Sequence, residues 1–308
     1  MKNINLFEKE GLVIVQNIFK KKKIQKLRNS LEKSFKNKNN PQILNIFELD
    51  NMHEILHELY LDEILIKKIY SIFDKEKYGE IYILPPFQIM RNFLPKLSSH
   101  TWHIDASGEY RYRYSKERIY SKNYLFGKVG IYLQNNTEFG GQIDVIKKTN
   151  LIYGKNNFVS LIKKNFMKFK MKIVKSMNSK LKNKYEKKIL DYERLQLDVG
   201  DIVIFDSRVY HRGSPISSQL NDKVFKTQGH YVDELNDKNN KFAIYFQFGN
   251  HLGLESYWHD RRQRVGGEEE KNCWDETKNA IINSFKIKKK SLPDNISKSL
   301  EKIDLLIH

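Results

Sequence analysis

The feature that most constrains the fold is a series of short β-prone runs spread over residues 76–250. They are rich in Ile, Val, Phe and Tyr, and turn signals such as Gly140-Gly141 and Gly200-Asp201 separate them. The runs are Ile81–Leu84, Phe87–Phe93, Val129–Leu133, Ile143–Ile146, Ile202–Phe205 and Phe242–Phe248. Short strands joined by turns predict a β-sandwich or a β-barrel. Because no glycine-rich phosphate-binding fingerprint appears, nothing points to a dinucleotide-binding α/β fold.

A helical layer is predicted ahead of this β-rich part. Apolar residues recur at helical spacing between Lys21 and Phe35, and two further helical patterns occupy residues 43–73. A chain of 308 residues can bury the core of one elaborated domain. We therefore expect a single α+β domain, 1–308, that is mainly β with flanking helices. Its expected parts are an N-terminal helical layer (1–75), a β core (76–250) with a basic insertion (150–190), and a C-terminal extension (251–308).

The charge of the chain is concentrated in that insertion. The chain has 55 Lys and Arg against 37 Asp and Glu, a net charge of +18. Residues 151–190 hold twelve lysines and one acid, Glu186, which gives this stretch +11. Apolar residues recur between the lysines and predict a basic amphipathic helix. We expect residues 155–188 to contact an anionic surface, with nucleic acid an improbable partner, although an AT-rich genome would enrich lysine without any partner.

The cysteine count and the hydropathy of the chain bear on whether disulfides, a zinc site or a transmembrane helix can form. Cys273 is the single cysteine, so no intramolecular disulfide can form and a cysteine-based zinc site is disfavoured. No stretch reaches the roughly 18 apolar residues that a transmembrane helix requires. We expect a soluble, cytoplasmic protein.

Three residues have the character of metal ligands. His103 and Asp105 are separated by one residue, and His211 closes a later apolar run just before a Gly-Ser-Pro bend. If the first pair lies on an extended strand, both side chains point to the same side. Two imidazoles and one carboxylate on one face of a metal leave positions open, as in non-haem Fe(II) oxygenases. A His-x-Asp pair alone is also compatible with a surface hydrogen bond.

The segment around His211 is more specific. Leu195–Pro215 contains a Gly-Asp turn, an apolar strand and the pattern Asp-Ser-x-x-x-His-x-Gly. In this order the motifs resemble the phytanoyl-CoA dioxygenase (PhyH-like) family of Fe(II)- and 2-oxoglutarate-dependent oxygenases. Residues 128–145, with their Gly-Gly turn, resemble a strand pair of that family. The resemblance touches most of residues 5–250 and omits 109–124, 150–190 and the tail after His251.

The resemblance implies a fold and a reaction. The fold is a double-stranded β-helix, the jelly-roll or cupin-like core, and His103, Asp105 and His211 would be the Fe(II) ligands and catalytic centre. With 2-oxoglutarate as cosubstrate and O2, such enzymes couple oxidative decarboxylation to succinate and CO2 with oxidation of a substrate. Related halogenases replace the aspartate by a small residue. Asp105 therefore favours hydroxylation of a small-molecule metabolite, while desaturation or ring formation would use the same ligands.

The cosubstrate site departs from the family pattern. The position of the family's 2-oxoglutarate arginine is occupied by Asp222 in this chain. The resemblance instead places Lys241, at the head of the last core strand, against the distal carboxylate. Arg91, on the strand before His103, is the next cation in reach if its side chain points inward. Lysine is a point charge that lacks arginine's bidentate fork. A solvated Lys241 at a strand end is the alternative.

Substrate contacts are expected from Gln88, Tyr110 and Arg111. Tyrosine and arginine alternate over residues 110–114, which suits an anionic or sugar-like small molecule if the segment is extended. A solvated loop whose tyrosines rest on the β core is the alternative. Two other functions are compatible with the same residues. One is the same chemistry on a carrier-bound or polyanionic substrate, such as a glycolipid or a nucleotide-linked or carrier-protein-linked molecule; the other is a non-catalytic basic binding protein on a jelly-roll scaffold.

Overall fold

The computed structural model describes residues 2–37, 43–45, 49, 59–60, 62–84, 88–91, 102–107, 113–134, 143–213, 242–265, 267–287, 291 and 294–307. Helices flank two antiparallel sheets within these ranges, which confirms the mixed α+β class. Helices hold more of the described residues than strands do, so the expectation of a mainly β chain is wrong. The strands are β1 (Leu12–Val15), β2 (Ile43–Asn45), β3 (Ile81–Leu84), β4 (Gln88–Arg91), β5 (Phe126–Tyr132), β6 (Ile143–Ile146), β7 (Glu193–Arg194), β8 (Ile202–Asp206), β9 (Tyr210–Gly213) and β10 (Phe242–Asn250).

The N-terminal part is mostly helical. Its helices are α1 (Lys2–Glu10), α2 (Lys21–Asn37), α3 (Glu63–Ile72) and α4 (Lys75–Tyr78). Helix α2 buries the apolar residues whose spacing predicts it, among them Leu27 and Leu31. Asp62 caps α3 by accepting hydrogen bonds from two backbone N–H groups of its first turn. Residues 43–45 form a strand where a helical pattern was expected, because they pair with β4.

The larger sheet has the order β1-β8-β5-β10-β4-β2, and β3 pairs with the end of β10. Its strands alternate their side chains between two faces. On β5, Val129 and Ile131 join the core beneath the helices, whereas Tyr132 faces the second sheet. The smaller sheet has the order β7-β6-β9. A second buried cluster, with Val145 of β6 and Phe205 of β8, fills the space shared by the two sheets.

The C-terminal residues are helical and belong to the same core as the larger sheet. They form α9 (His251–Val265), α10 (Gly267–Ile287) and α11 (Asp294–Ile307), and a short helix, α5 (Arg113–Ile119), packs against α9. Trp258 of α9 and Trp274 of α10 are fully buried in the cluster that includes the helix-facing residues of β5 and β10. Burial of two such large side chains ties these helices to the sheet.

The basic segment connects β6 to β7 as a helical excursion. It comprises α6 (Thr149–Tyr153), α7 (Phe158–Ser176) and α8 (Ser179–Leu190). Asn157 and Asn178 cap α7 and α8 by accepting hydrogen bonds from backbone N–H groups of their first turns. We call α6–α8 the basic insertion. In the part of the chain that the structure describes, no helix is both long and apolar enough to cross a bilayer.

Candidate metal centre

The two histidines of the candidate site face each other across an isolated β-bridge. The backbone N–H of His103 donates to the carbonyl oxygen of His211 at 3.0 Å, and the reverse hydrogen bond is 2.9 Å. His211 lies on β9 and delivers its ring to within 4.3 Å of the His103 ring, measured between centroids. Two residues 108 positions apart in the chain are therefore brought together by a single pair of backbone hydrogen bonds.

Asp105 reaches this pair in a different way from the one predicted. The sequence was interpreted as an extended strand, but Asp105 begins a 3-10 turn, Asp105–Ser107. The chain turns because the N–H of Ala106 donates to the carbonyl oxygen of Ser207, at 3.0 Å. The carboxylate nevertheless lies 3.9 Å from Nε2 of His103 and 3.6 Å from Nε2 of His211. The prediction that these three side chains converge is confirmed, and their ligand atoms lie within 4.8 Å of one another.

The tautomer of His211 is fixed by the backbone. Its Nδ1 lies 3.0 Å from the carbonyl oxygen of Val209. A carbonyl oxygen can only accept, so Nδ1 carries the proton and Nε2 presents a lone pair toward Asp105. Such an outer hydrogen bond is typical of histidines that bind metals.

The local charges favour the ligand forms of both groups. Burial lowers the pKa of His211 to about 3, although the nearby carboxylate of Asp105 acts in the opposite direction. Burial by itself would raise the pKa of Asp105, but Lys128 and the two imidazoles hold it well below its usual range. A neutral imidazole and an ionised carboxylate are the forms that coordinate a metal.

Lys128 is a site residue that the sequence interpretation missed. It lies in the middle of β5, and its Nζ donates to Oδ1 of Asp105 at 2.8 Å. The available signal was a charged residue inside an otherwise apolar run, Phe126–Tyr132. A lysine on a buried strand is uncommon unless it has a partner.

The second oxygen of Asp105 is the observation that tests the fit to a metal. Oδ2 is buried and accepts no hydrogen bond from the described residues. A buried anionic oxygen without a donor is costly, and here it stands beside the lone pair of His211. Two imidazole nitrogens and one carboxylate oxygen suit a first-row divalent metal such as Fe(II), and would leave its other positions open. The donor set therefore fits the metal that the sequence implies.

A buried polar cluster holds the residues next to both histidines. Arg212 makes two hydrogen bonds of 2.8 Å to the carboxylate of Glu186 and one of 3.0 Å to Asp144. Trp102 donates its indole N–H to Glu186 at 3.1 Å and lies under the Arg212 guanidinium, 4.5 Å away. Because Glu186 belongs to α8, the basic insertion helps to fix both ligand-bearing segments. Trp102 thus packs and donates a hydrogen bond within this cluster.

Several predicted site residues lie outside what the structure describes. Lys241, Tyr110 and Arg111 fall outside the described residues, and for Gln88 and Arg91 only the backbone on β4 is described. Arg91 pairs with Phe242, the residue that follows Lys241 in the chain. Their proposed roles in cosubstrate and substrate binding remain predictions. The alternation expected over 110–114 is interrupted, because helix α5 begins at Arg113.

Comparisons with known proteins give structural matches alone. No protein-family model matches the chain, and no curated protein matches it. One similar solved structure is HygX from Streptomyces hygroscopicus with nickel and 2-oxoglutarate bound, at 12% identity and a TM-score of 0.49, covering 81% of this chain and 86% of that one.

Two further matches are a non-heme α-ketoglutarate-dependent epimerase and a non-heme monooxygenase. The epimerase, SnoN from nogalamycin biosynthesis, has 8% identity, a TM-score of 0.47 and 80% coverage of both chains. The monooxygenase, ThoJ in complex with Ni, has 10% identity, a TM-score of 0.45, and coverage of 80% of this chain and 77% of that one. At these identities and TM-scores, the matches do not identify the chemistry of the present site.

Proposed function

We propose that this protein is a non-haem Fe(II)- and 2-oxoglutarate-dependent dioxygenase that hydroxylates a small-molecule metabolite. The observation that carries the proposal is the convergence of His103, Asp105 and His211, with the Oδ2 atom of Asp105 buried and lacking a hydrogen-bond donor among the described residues. Two antiparallel sheets that share an apolar interior support a jelly-roll core for this site. The lone cysteine supports a cytoplasmic location.

The three side chains would hold Fe(II) from one side. When bound, the metal would supply open positions for 2-oxoglutarate and O2, and with them the redox chemistry that couples decarboxylation to succinate and CO2 with substrate oxidation. His211 is oriented by Val209 so that its lone pair is available without a change of tautomer. Asp105 is kept anionic chiefly by the neighbouring ammonium group of Lys128. The protein's contribution at this centre is a preformed ligand geometry.

The cosubstrate needs a cation for its distal carboxylate. We propose Lys241, with Arg91 as the second candidate, because the strand pairing sets Arg91 opposite the residue after Lys241. Lys128 is a third candidate that the structure introduces, since its ammonium group already lies at the site. Separate Ala variants distinguish the three. The residue that binds the cosubstrate is the one whose loss raises the 2-oxoglutarate requirement without lowering metal occupancy.

For the substrate we propose contacts from Gln88, Tyr110 and Arg111 and an anionic or sugar-like character. Asp105 supports hydroxylation over halogenation because it fills the position that a halide would need. A carrier-bound or polyanionic substrate is the second candidate, favoured by the exposed lysines of the basic insertion. Turnover of such a substrate would fall steeply with salt, whereas turnover of a neutral small molecule would not.

The decisive experiment is anaerobic optical spectroscopy. Protein loaded with Fe(II) should develop the weak visible charge-transfer band of an iron-bound 2-oxo acid when 2-oxoglutarate is added. The variant His211→Ala should show no band. The matched control His251→Ala should keep it, because that side chain is half exposed and pairs with Glu255 on α9. Absence of the band in the unaltered protein at saturating cosubstrate would overturn the proposal and leave a binding role.

A further inference from the structure

Helix α7 exposes an apolar stripe that a folded protein ordinarily buries. Phe158, Ile162, Phe166 and Phe169 are 75%, 52%, 58% and 58% exposed. Their spacing of four, four and three residues sets them on one face of the helix. Scattered exposed apolar residues are common, but an aligned row of large ones indicates a contact surface.

The opposite face of the same helix is firmly packed. Met167 and Val174 are buried in a cluster with Trp102, Ile146 and Leu190. Lys164 also faces inward, where its Nζ lies 4.7 Å from the centre of the Tyr120 ring. The exposed stripe therefore belongs to a helix that is anchored on its other side, so the stripe has a fixed position on the molecule.

Lysines border the stripe on both sides. By helical geometry Lys163 and Lys170 lie along one edge, and Lys168 and Lys172 lie along the other. The Nζ of Lys170 stands 5.1 Å from the ring centre of Phe166. The structure describes every charged side chain of residues 155–188, and their single acid, Glu186, is buried against Arg212. Every exposed charge of this segment is therefore positive.

We propose that the exposed face of α7, with the lysines of α8, docks on an anionic lipid bilayer. An interfacial helix buries an apolar face at the boundary of headgroups and acyl chains while its lysines reach the headgroups. Lysines near an anionic leaflet add to binding. An anionic bilayer would thus bury the apolar stripe and pair with the lysines beside it at the same time. This inference does not depend on the proposed reaction.

Other occupants match the surface less well. A second copy would bring two lysine-rich faces together, and like charges oppose such contacts. A nucleic acid would pair with the lysines and could stack bases on the three phenylalanines, but it would leave the aliphatic side chains of Ile162 and Leu161, 52% and 54% exposed, in water. An acidic protein remains an outcome that the test below recognises.

The test is flotation of the full chain with vesicles. Vesicles of phosphatidylcholine and phosphatidylserine in equal parts should retain the protein, and vesicles of phosphatidylcholine alone should bind at least about tenfold more weakly. The double variant Phe166→Asn/Phe169→Asn should lose at least about tenfold in vesicle binding. Its control, Ile64→Asn/Leu305→Asn, removes two apolar side chains that are 63% and 77% exposed elsewhere, and should bind as the unaltered protein does.

Two double variants with the same change in net charge distinguish the lysines beside the stripe from the total charge of the protein. Lys168→Glu/Lys172→Glu should weaken binding at least about tenfold, whereas Lys22→Glu/Lys26→Glu, on exposed positions of α2, should have a much smaller effect. Thermal unfolding of every variant should match the parent. Equal binding to both vesicle types overturns the proposal. So does equal loss in both lysine pairs, self-association that disappears with Phe166→Asn, or binding to polyglutamate or polyphosphate as tight as to the vesicles.

Discussion

The metal centre and the basic insertion differ in where they place their charged side chains: the centre buries them, and the insertion exposes most of them. At the centre, Asp105 is surrounded by a lysine and two imidazoles, and every group is wholly or partly buried. The insertion displays most of its lysines to solvent and buries its single acid, Glu186. The carboxylate of Glu186 accepts two hydrogen bonds from Arg212, the neighbour of His211. The insertion thus combines an outer surface for anions with an inner contact that holds the metal site.

The largest effect is expected at the metal centre, where removal of a ligand should weaken metal binding. Asp105→Ala leaves two imidazoles without the carboxylate between them. Changes to outer hydrogen bonds of metal sites already reduce affinity about 10- to 100-fold, so loss of a ligand should exceed about 100-fold. Anaerobic titration calorimetry with Fe(II) measures it. Asp198→Ala, an exposed aspartate paired with Lys21, is the control. Equal affinities in the two variants would contradict the assignment.

Breaking the inner contact tests whether the insertion supports the centre. Glu186→Ala leaves the Arg212 guanidinium buried with Asp144 as its remaining partner, and removal of one member of a buried ion pair costs about 3 to 5 kcal/mol. We expect a free energy of unfolding lower by an amount of this order, and weaker metal binding. Chemical denaturation and metal titration measure the two.

The control for this variant is an exposed pair. Glu63→Ala removes a carboxylate that is 83% exposed beside Lys67 on α3, and such pairs contribute about 0 to 1 kcal/mol. If Glu186→Ala unfolds no more easily than Glu63→Ala, the buried cluster does not hold the ligand segments. If Glu186→Ala is destabilised but binds metal with unchanged affinity, the cluster stabilises the fold alone.

The variant Lys128→Met tests whether Lys128 takes the place of the metal ion beside Asp105 or assists metal binding. The substitution removes the cation that Asp105 contacts in the absence of metal. The free energy of unfolding of the metal-free protein should therefore fall by about 1.5 to 3 kcal/mol, the range for hydrogen bonds to charged groups. A divalent ion would replace the missing positive charge. The rise in melting temperature on adding Mn(II) should therefore be larger in Lys128→Met than in the unaltered protein. A smaller rise would show that Lys128 assists metal binding instead of substituting for it.

Much of this architecture could be predicted from local pattern. Ile81–Leu84 and Ile143–Ile146 are strands with the predicted bounds, because runs of β-branched residues between turns leave few alternatives. The convergence of the metal ligands followed from one motif on each side, and is confirmed. The two local predictions that were wrong concern conformations that tertiary contacts determine. Asp105 begins a turn because the N–H of the next residue, Ala106, donates to the carbonyl oxygen of Ser207, and residues 43–45 are extended because β4 pairs with them.

The roles of Lys128 and Glu186 could not be predicted for the same reason. In the sequence, Lys128 is one of many lysines and Glu186 is one acid within a basic helix. Each role is defined by a partner, Asp105 or Arg212, that only the folded chain brings near. Burial of a charge is a property of the tertiary structure, and local spacing carries little information about it.

The smallest effect is expected on the exposed face of α7, and it is measured against a substitution on the buried face. Met167→Ala removes a side chain that is 8% exposed and packed against Trp102, and should cost about 2 to 3 kcal/mol. Phe166→Ala, one residue away on the exposed face, should change the free energy of unfolding by less than about 0.5 kcal/mol. Urea denaturation of both variants measures the difference. If Phe166→Ala is as costly as Met167→Ala, another part of the chain covers the stripe in solution, and the outer surface of the insertion is a second core instead of a docking face.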